Sequence, residues 1–278
     1  MTPDFLVVGH IVKDITSPSW RPGGGVYYAA AQAQRLGARV AAVTVCGSDV
    51  DPRAVLPGIE WQVAADERTT AFENRYVEGR RVQRLLATAR PIMLDDIPED
   101  WRSAPIVLLA PVFHDVDPHL PGQLARSGRL LGLGAQGWLR RRAGDRVLPG
   151  RVDRHAPWLA GDAVFVSDED VEDPEAVAAW ARRLPIVVLT RAGRGCTLWC
   201  GGQRHELPAF PADEVDPTGA GDVYAAAFLV EFKETRDALS AARFAGAAAA
   251  LSVRAAGVDA VAGRDEIEAL LRAQAVRA

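Results

Sequence analysis

Asp216-Pro217-Thr218-Gly219-Ala220-Gly221-Asp222 carries the most chemistry per residue in the chain, and it runs straight into the apolar stretch Val223–Phe232. Small residues at Gly219, Ala220 and Gly221 let the backbone turn and leave successive N–H groups uncovered where a helix begins. Free amides and the helix dipole together attract an anion. Asp222 adds a carboxylate to the first turn, beside that hole. Transfer of a phosphoryl group to a hydroxyl needs this pair: amides to take up charge on the moving group, and a carboxylate to take the proton. Taken alone, the run also reads as a helix with an acidic residue at its start, a common arrangement.

These residues need a scaffold that presents loops at one sheet edge, and the chain's rhythm supplies one. Short apolar runs at Phe5–Val8, Val40–Val45, Ile106–Leu109, Leu130–Leu133, Ala163–Val166 and Ile186–Thr190 read as strands. Helical patterns separate several of them, at Val26–Leu36, Leu120–Arg126 and Pro174–Arg182, and three more follow at Ala220–Phe232, Arg236–Ser252 and Arg264–Gln274. Uninterrupted apolar strands alternating with helices predict an α/β fold with a mostly parallel sheet covered on both faces. From Glu60 to Leu86 the pattern changes to polar/apolar alternation around Glu78-Gly79. That segment predicts an antiparallel hairpin, either a lid over the site or an extension of the sheet.

Several function classes fall away on composition. The net charge of −4 and the 24% of charged residues suggest neither nucleic acid nor a membrane surface as partner. Phe244–Val253 is half the length of a membrane span. Of 32 Lys and Arg, only Lys13 and Lys233 are lysines, and the lysine-bearing phosphate loop is absent. Three cysteines make no disulfide framework. Cys196 and Cys200 share one strand face and read as packing rather than as metal ligands. Met1–Val8 carries Asp4 and no basic cluster, unlike a secretory signal, so the expected compartment is the cytoplasm. Gly132-Leu133-Gly134-Ala135-Gln136-Gly137 fits a dinucleotide fingerprint, but the following helix is short and basic, which argues against a dehydrogenase.

The run Asp216–Asp222 resembles the C-terminal signature of the ribokinase-like (PfkB) carbohydrate kinases. The N-terminal half is similar too: Val7-Val8-Gly9-His10, Asp14, then Pro22-Gly23-Gly24-Gly25 opening a helix. Ala245–Val253 and Gly257 look like the segment beside the nucleotide base. Within the family, Gly24-Gly25-Val26-Tyr27-Tyr28, Gln136-Gly137-Trp138-Leu139-Arg140 and Thr69–Tyr76 look most like the myo-inositol-kinase branch. The resemblance implies a single domain over residues 1–278, a three-layer α/β/α fold with a small β-lid at about 60–86. It also implies an ATP-dependent kinase acting on a hydroxyl of a small polyol or sugar, inositol-like first, as monomer or homodimer. A nucleoside kinase and a non-catalytic sugar- or nucleotide-binding relic are the alternatives.

The same resemblance distributes the roles. Asp222 would be the base and Gly219, Ala220 and Gly221 the anion hole, with Asp14, Gly24 and Gly25 holding the acceptor. Gln136 and Arg140 lie just past the C-terminal end of an apolar run, where ligands of open α/β sheets collect, and can bind a polyol by several hydrogen bonds. Arg140 also begins a basic run and reads equally as a solvated loop. Thr190, Ala192, Gly195 and Gly246 would face the nucleotide. Ser167 and Asp170 would hold Mg2+ through water, and Asp216 and Thr218 a monovalent cation such as K+. Four places depart from the family pattern: Tyr28 where Asn is frequent, Ser167-Asp168-Glu169-Asp170 in place of Asn-x-x-Glu, Gly246 in place of a common Asn on the adenine side, and Ala192 in place of a glycine. If that last position needs a positive φ, alanine there is strained.

Overall fold

Strand β1 (Phe5–Val8) sends Phe5 and Val7 into one hydrophobic core and Leu6 and Val8 into another, all four fully buried. A strand buried on both faces has no polar position to alternate, which explains its unbroken apolar run. The computed structural model describes residues 1–16, 18–77 and 80–275, so the expected turn at Glu78-Gly79 lies outside the described residues. After β1 come β2 (Val12–Thr16), β3 (Ser19–Gly23), α1 (Gly25–Arg35), β4 (Val40–Cys46), α2 (Pro52–Val55), β5 (Glu60–Ala65), β6 (Ala71–Val77) and β7 (Arg80–Ala87). The chain continues through β8 (Ile106–Leu109), α3 (Leu120–Leu124), β9 (Leu130–Gly134), α4 (Gln136–Leu139), β10 (Arg141–Ala143) and β11 (Arg146–Leu148). It ends with β12 (Ala163–Ser167), β13 (Ile186–Thr190), β14 (Cys196–Cys200), β15 (Gln203–Leu207), α5 (Ala220–Thr235), α6 (Ala238–Ser252) and α7 (Arg264–Ala275).

The main sheet has nine strands in the order β15-β14-β13-β12-β9-β8-β1-β4-β5. Every pairing from β12–β13 through β4–β5 is parallel, and only the β13–β14 and β14–β15 pairings at one edge are antiparallel. Helices α1, α5, α6 and α7 cover the face holding Phe5 and Val7, while α3 and the 3-10 segment Pro174–Arg182 lie over the other. This is the expected three-layer arrangement. Helix α5 is apolar all round, with Val223–Glu231 buried throughout, as befits a helix enclosed by neighbours. The helical pattern at Arg236–Ser252 starts later than its apolar rhythm suggests. Arg236 ends α5 in the left-handed region (φ 58), and Asp237 caps α6 by accepting from the amides of Leu239 and Ser240.

A second sheet of six strands, β10-β11-β7-β6-β2-β3, stands beside the first. It corrects two boundaries. The hairpin expected over 60–86 begins only at Ala71, because β5 pairs in parallel with β4 in the main sheet. Trp61, buried and donating from Nε1 to the Leu56 carbonyl at 3.2 Å, anchors β5 there. The basic run after Arg140 is also a strand: β10 pairs with β11, which extends the hairpin through Arg146 and Arg84. Val12, Phe72, Leu85 and Val112 form a small core of their own where this sheet meets the main one.

Candidate active site

Helix α5 starts where the motif analysis puts it. Gly219 is its N-cap in the left-handed region (φ 81, ψ −3), and a side chain there would collide with the Tyr28 ring. Only glycine meets both constraints. The amides of Asp222 and Val223 donate to the Gly219 carbonyl, at 3.0 and 2.9 Å. The Ala220 amide is taken by the Pro217 carbonyl at 3.2 Å, whereas those of Gly219 and Gly221 have no acceptor among the described residues. The hole therefore offers two open amides rather than three.

Asp222 stands beside this hole and against the start of α1. A Cβ on Gly25 would come within 2.8 Å of its Oδ1, so the glycine there makes room for the carboxylate. Burial pushes the Asp222 carboxyl up to about 7; the Arg140 guanidinium opposes the shift and the Asp170 carboxylate adds to it. An acid poised at that value holds or releases a proton near neutrality, which suits general-base work.

The pocket in front of Asp222 encloses about 60 Å³ and is lined by Asp14, Gly24, Gly25, Gln136, Arg140, Thr218 and Gly219, together with Val12, Tyr28, Phe72, Gln83 and Val112. Residues from positions 12 to 222 thus meet in one place. Asp14 accepts from Asn74 Nδ2 at 3.2 Å, and Asn74 accepts from Gln83 Nε2 at 3.0 Å. Arg140 lies with Nε 3.2 Å from Asp170 Oδ1 and Nη1 3.2 Å from the Val112 carbonyl, in a largely buried ion pair. Arg140 is accordingly no solvated loop residue, although β10 begins directly after it.

Other sequence candidates lie apart from this pocket. Thr190 ends β13 and its hydroxyl donates to the Val166 carbonyl at 3.3 Å. Ala192 opens the turn into β14 at φ 46, so the strain expected of alanine there is present. Gly195 closes the same turn at φ 86, and Gly246 on α6 faces Phe210. Ser167 caps the 3-10 turn Asp168–Asp170 by accepting from the Glu169 amide, and Asp168 pairs with Arg194. Asp216 accepts from the Thr218 amide at 3.0 Å, while its own amide is held by the Val253 carbonyl. Among the described residues no group of three His, Cys, Asp or Glu side chains could hold a metal ion. Cys196 and Cys200 both lie against the core that also receives Tyr224, as their shared face predicts. No helix among the described residues is long and apolar enough to cross a membrane.

Sequence reasoning missed Phe72, Asn74 and Gln83. The signal was present as period-2 alternation: Phe72 pairs with Leu85, Asn74 with Gln83, and Asp14 with Phe72, which puts all five on one face. Polar residues on that face read as solvent-facing, whereas Gln83 lines the pocket and Asn74 links it to Asp14.

A pfkB family carbohydrate kinase model matches residues 160–262. Inositol 3-kinase of Oryza sativa subsp. japonica is 30% identical over 276 residues, covering 89% of this chain and 68% of that protein. The chain belongs to the pfkB family of carbohydrate kinases. Inositol 3-kinase of Zea mays is 32% identical over 199 residues, covering 66% of this chain, and the match spans about half (52%) of the maize protein. A sulfate-bound pyrophosphate-dependent kinase of the ribokinase family superposes with a TM-score of 0.78 at 24% identity, covering 95% of this chain and 99% of its own. At that identity the likeness concerns the fold alone.

Proposed function

We propose that the chain transfers the terminal phosphoryl group of ATP to a hydroxyl of a small polyol, with an inositol-like acceptor first. One observation carries the reading: a carboxylate raised to about 7 stands beside two open helix-start amides in a pocket edged by Asp14, Gln136 and Arg140. The acceptor's hydroxyl groups bind to the Asp14 carboxylate and the Gln136 amide, which brings one hydroxyl to Asp222. As that oxygen bonds to the terminal phosphorus, the bond from phosphorus to the bridging oxygen breaks, and ADP departs with the electron pair. Asp222 accepts the hydroxyl proton, and the amides of Gly219 and Gly221 take up charge on the moving group. Arg140, fixed by Asp170 and Val112, keeps a positive charge near both.

Oxygen donors suited to a hard cation lie at Ser167 and Asp170, and Mg2+ is held by one or two carboxylates, water and substrate phosphates rather than by an all-protein cage. These two residues fit that donor chemistry and would hold Mg2+, which when bound neutralises phosphate charge. Asp216 and Thr218 would supply oxygens to a monovalent cation such as K+. Thr190, Ala192, Gly195 and Gly246 would line the nucleotide's path.

Product release measured with ATP, GTP and pyrophosphate as donors, against a panel of polyols, sugars and nucleosides, tests the assignment. Turnover fastest with ATP and an inositol is the expected result. Faster turnover with pyrophosphate, the donor of the fold's superposed neighbour, would overturn the donor and leave the acceptor standing. Binding without turnover on any pair would mark a relic.

A further inference from the structure

Helix α4 serves two cavities. Gln136 and Arg140, at its start and just past its end, line the Asp222 pocket; Trp138 and Leu139 between them line a separate cavity of about 290 Å³. That cavity is bounded further by Val116, Ala156, Pro157 and Trp158. Trp138 and Trp158 stack at 5.2 Å with planes 12° apart, and the Trp138 indole donates to the Val116 carbonyl at 2.8 Å. The inner wall is thus flat and aromatic, with the Trp138 indole nitrogen already paired. Its size lies at the small end of ligand pockets, suited to one or two fused rings.

The rim differs from the wall. Arg151 is bound through Nε to Glu172 at 2.9 Å, and its terminal nitrogens have no acceptor among the described residues. Asp153 accepts the His155 amide on Oδ1 at 2.8 Å, and its Oδ2 has no donor among them. A rim with one free cationic donor and one free anionic acceptor favours a neutral ligand edge bearing both an acceptor and a donor over a lone anion or cation. His114 completes the rim. Its Nε2 faces the Arg140 carbonyl at 2.8 Å and so carries the proton, and its amide donates to the Gly137 carbonyl at 2.9 Å. It therefore grips α4 at both ends while holding a left-handed backbone (φ 49), a state that non-glycine residues keep only where their surroundings over-determine it.

We propose that this cavity is a second ligand site, for a neutral planar heteroaromatic molecule whose edge presents a donor to Asp153 and an acceptor to Arg151. His114 transmits its occupancy to α4 and hence to Gln136 and Arg140. The site itself does not rest on the kinase reading; only the consequence for an acceptor does.

The probe is 7-azaindole, which carries an N–H donor and a ring-nitrogen acceptor side by side; indole, lacking the acceptor, is its control. Saturation-transfer NMR should show 7-azaindole binding in the presence of saturating ATP and myo-inositol, at least tenfold tighter than indole. Arg151→Ala and Asp153→Asn, both at exposed positions, should each weaken it at least tenfold. Probe binding should also shift the Gln136 side-chain amide resonance in the wild type but not in His114→Gly, which keeps the amide and relieves the φ. Equal affinity for indole, unchanged affinity in both rim variants, or no binding up to the probe's solubility overturns the site. A Gln136 shift that persists in His114→Gly overturns the relay. An inactive kinase assay alongside intact probe binding would count against the proposed function and not against this site.

Discussion

Asp222→Asn separates catalysis from folding in a way the wild-type geometry makes quantitative. The substitution keeps the shape of the side chain and removes its basicity, leaving the open amides of Gly219 and Gly221 in place. Turnover should fall about 10²–10⁴-fold, the usual contribution of a positioned base, with donor affinity nearly unchanged. Stability should move the other way. Burial raises the Asp222 carboxyl to about 7, so between the unfolded value near 4 and that point the folded state binds the extra proton. Wild-type stability therefore falls as pH rises through this window. The charge costs at most about 4 kcal/mol above it, and roughly 1–2 kcal/mol once water in the pocket shares the load. Asn carries no such cost, so the variant should melt several degrees above wild type at pH 8 and alongside it at pH 4. The wild-type kcat/KM should climb about tenfold per pH unit below 7 and level off above, whereas the variant's profile stays flat. Single-turnover transfer and thermal melts on the same preparations read both arms. Turnover within threefold of wild type, or a wild-type profile already flat from pH 5.5 to 8, would refute Asp222 as the base.

Asp14→Ala should raise the acceptor KM at least tenfold while leaving the donor KM within twofold, because a buried polar partner costs about 1–3 kcal/mol to lose; equal changes in both would make Asp14 a structural residue. Gln83→Ala should change the ranking of acceptors in a polyol panel more than it changes the best kcat, since Gln83 lines the pocket and is hydrogen-bonded to Asn74 rather than to Asp222. His10 is fully buried, with Nε2 on the Arg90 carbonyl and Nδ1 on the Thr70 hydroxyl, and burial holds its pKa below the usual value despite the nearby Asp115. The unfolded chain thus takes up the proton first, so wild-type stability should drop as pH falls below about 6.5, and urea melts of His10→Gln should lose that slope. Ala192→Gly should stabilise the fold by roughly 0.5–1 kcal/mol, the left-handed penalty less the entropy of glycine, as a denaturant midpoint would show.

How much of this was legible beforehand follows the range of each interaction. Strands such as Phe5–Val8 and Ile186–Thr190 announce themselves because both faces are buried and every residue is apolar. The Gly219 turn is equally plain, since its constraints are local backbone ones. Glu60–Ala65 was grouped with the hairpin because a half-polar edge strand shows the same alternation in either sheet; only its pairing with β4 decides. Arg140 reads equally as a ligand contact and as a solvated loop because its partner Asp170 lies thirty residues away and nothing local marks the pair. Asn74 and Gln83 were hidden for a different reason. Period-2 alternation says which residues share a face and is silent on what that face meets.

The two sides of the pocket are built to different standards of rigidity, and the chemistry explains the difference. Groups that stabilise developing charge must be fixed before the reaction, since reorganising them later costs what they would contribute. The open amides and Asp222 accordingly sit at the start of α5, whose Val223–Glu231 stretch is buried throughout. The acceptor recognition proposed above would tolerate adjustment, and its Asp14 side stands on the smaller core of Val12, Phe72, Leu85 and Val112. Gln136 and Arg140 lie between these regimes, on a helix of four residues too short to hold itself. What fixes that helix is tertiary: Asp170 on Arg140, the His114 contacts to Gly137 and Arg140, and the Trp138 indole on Val116. The acceptor contacts proposed for Gln136 and Arg140 would therefore depend on residues that do not line the Asp222 pocket, and α4 is where the frame of Asp222 and the second sheet could be brought out of register.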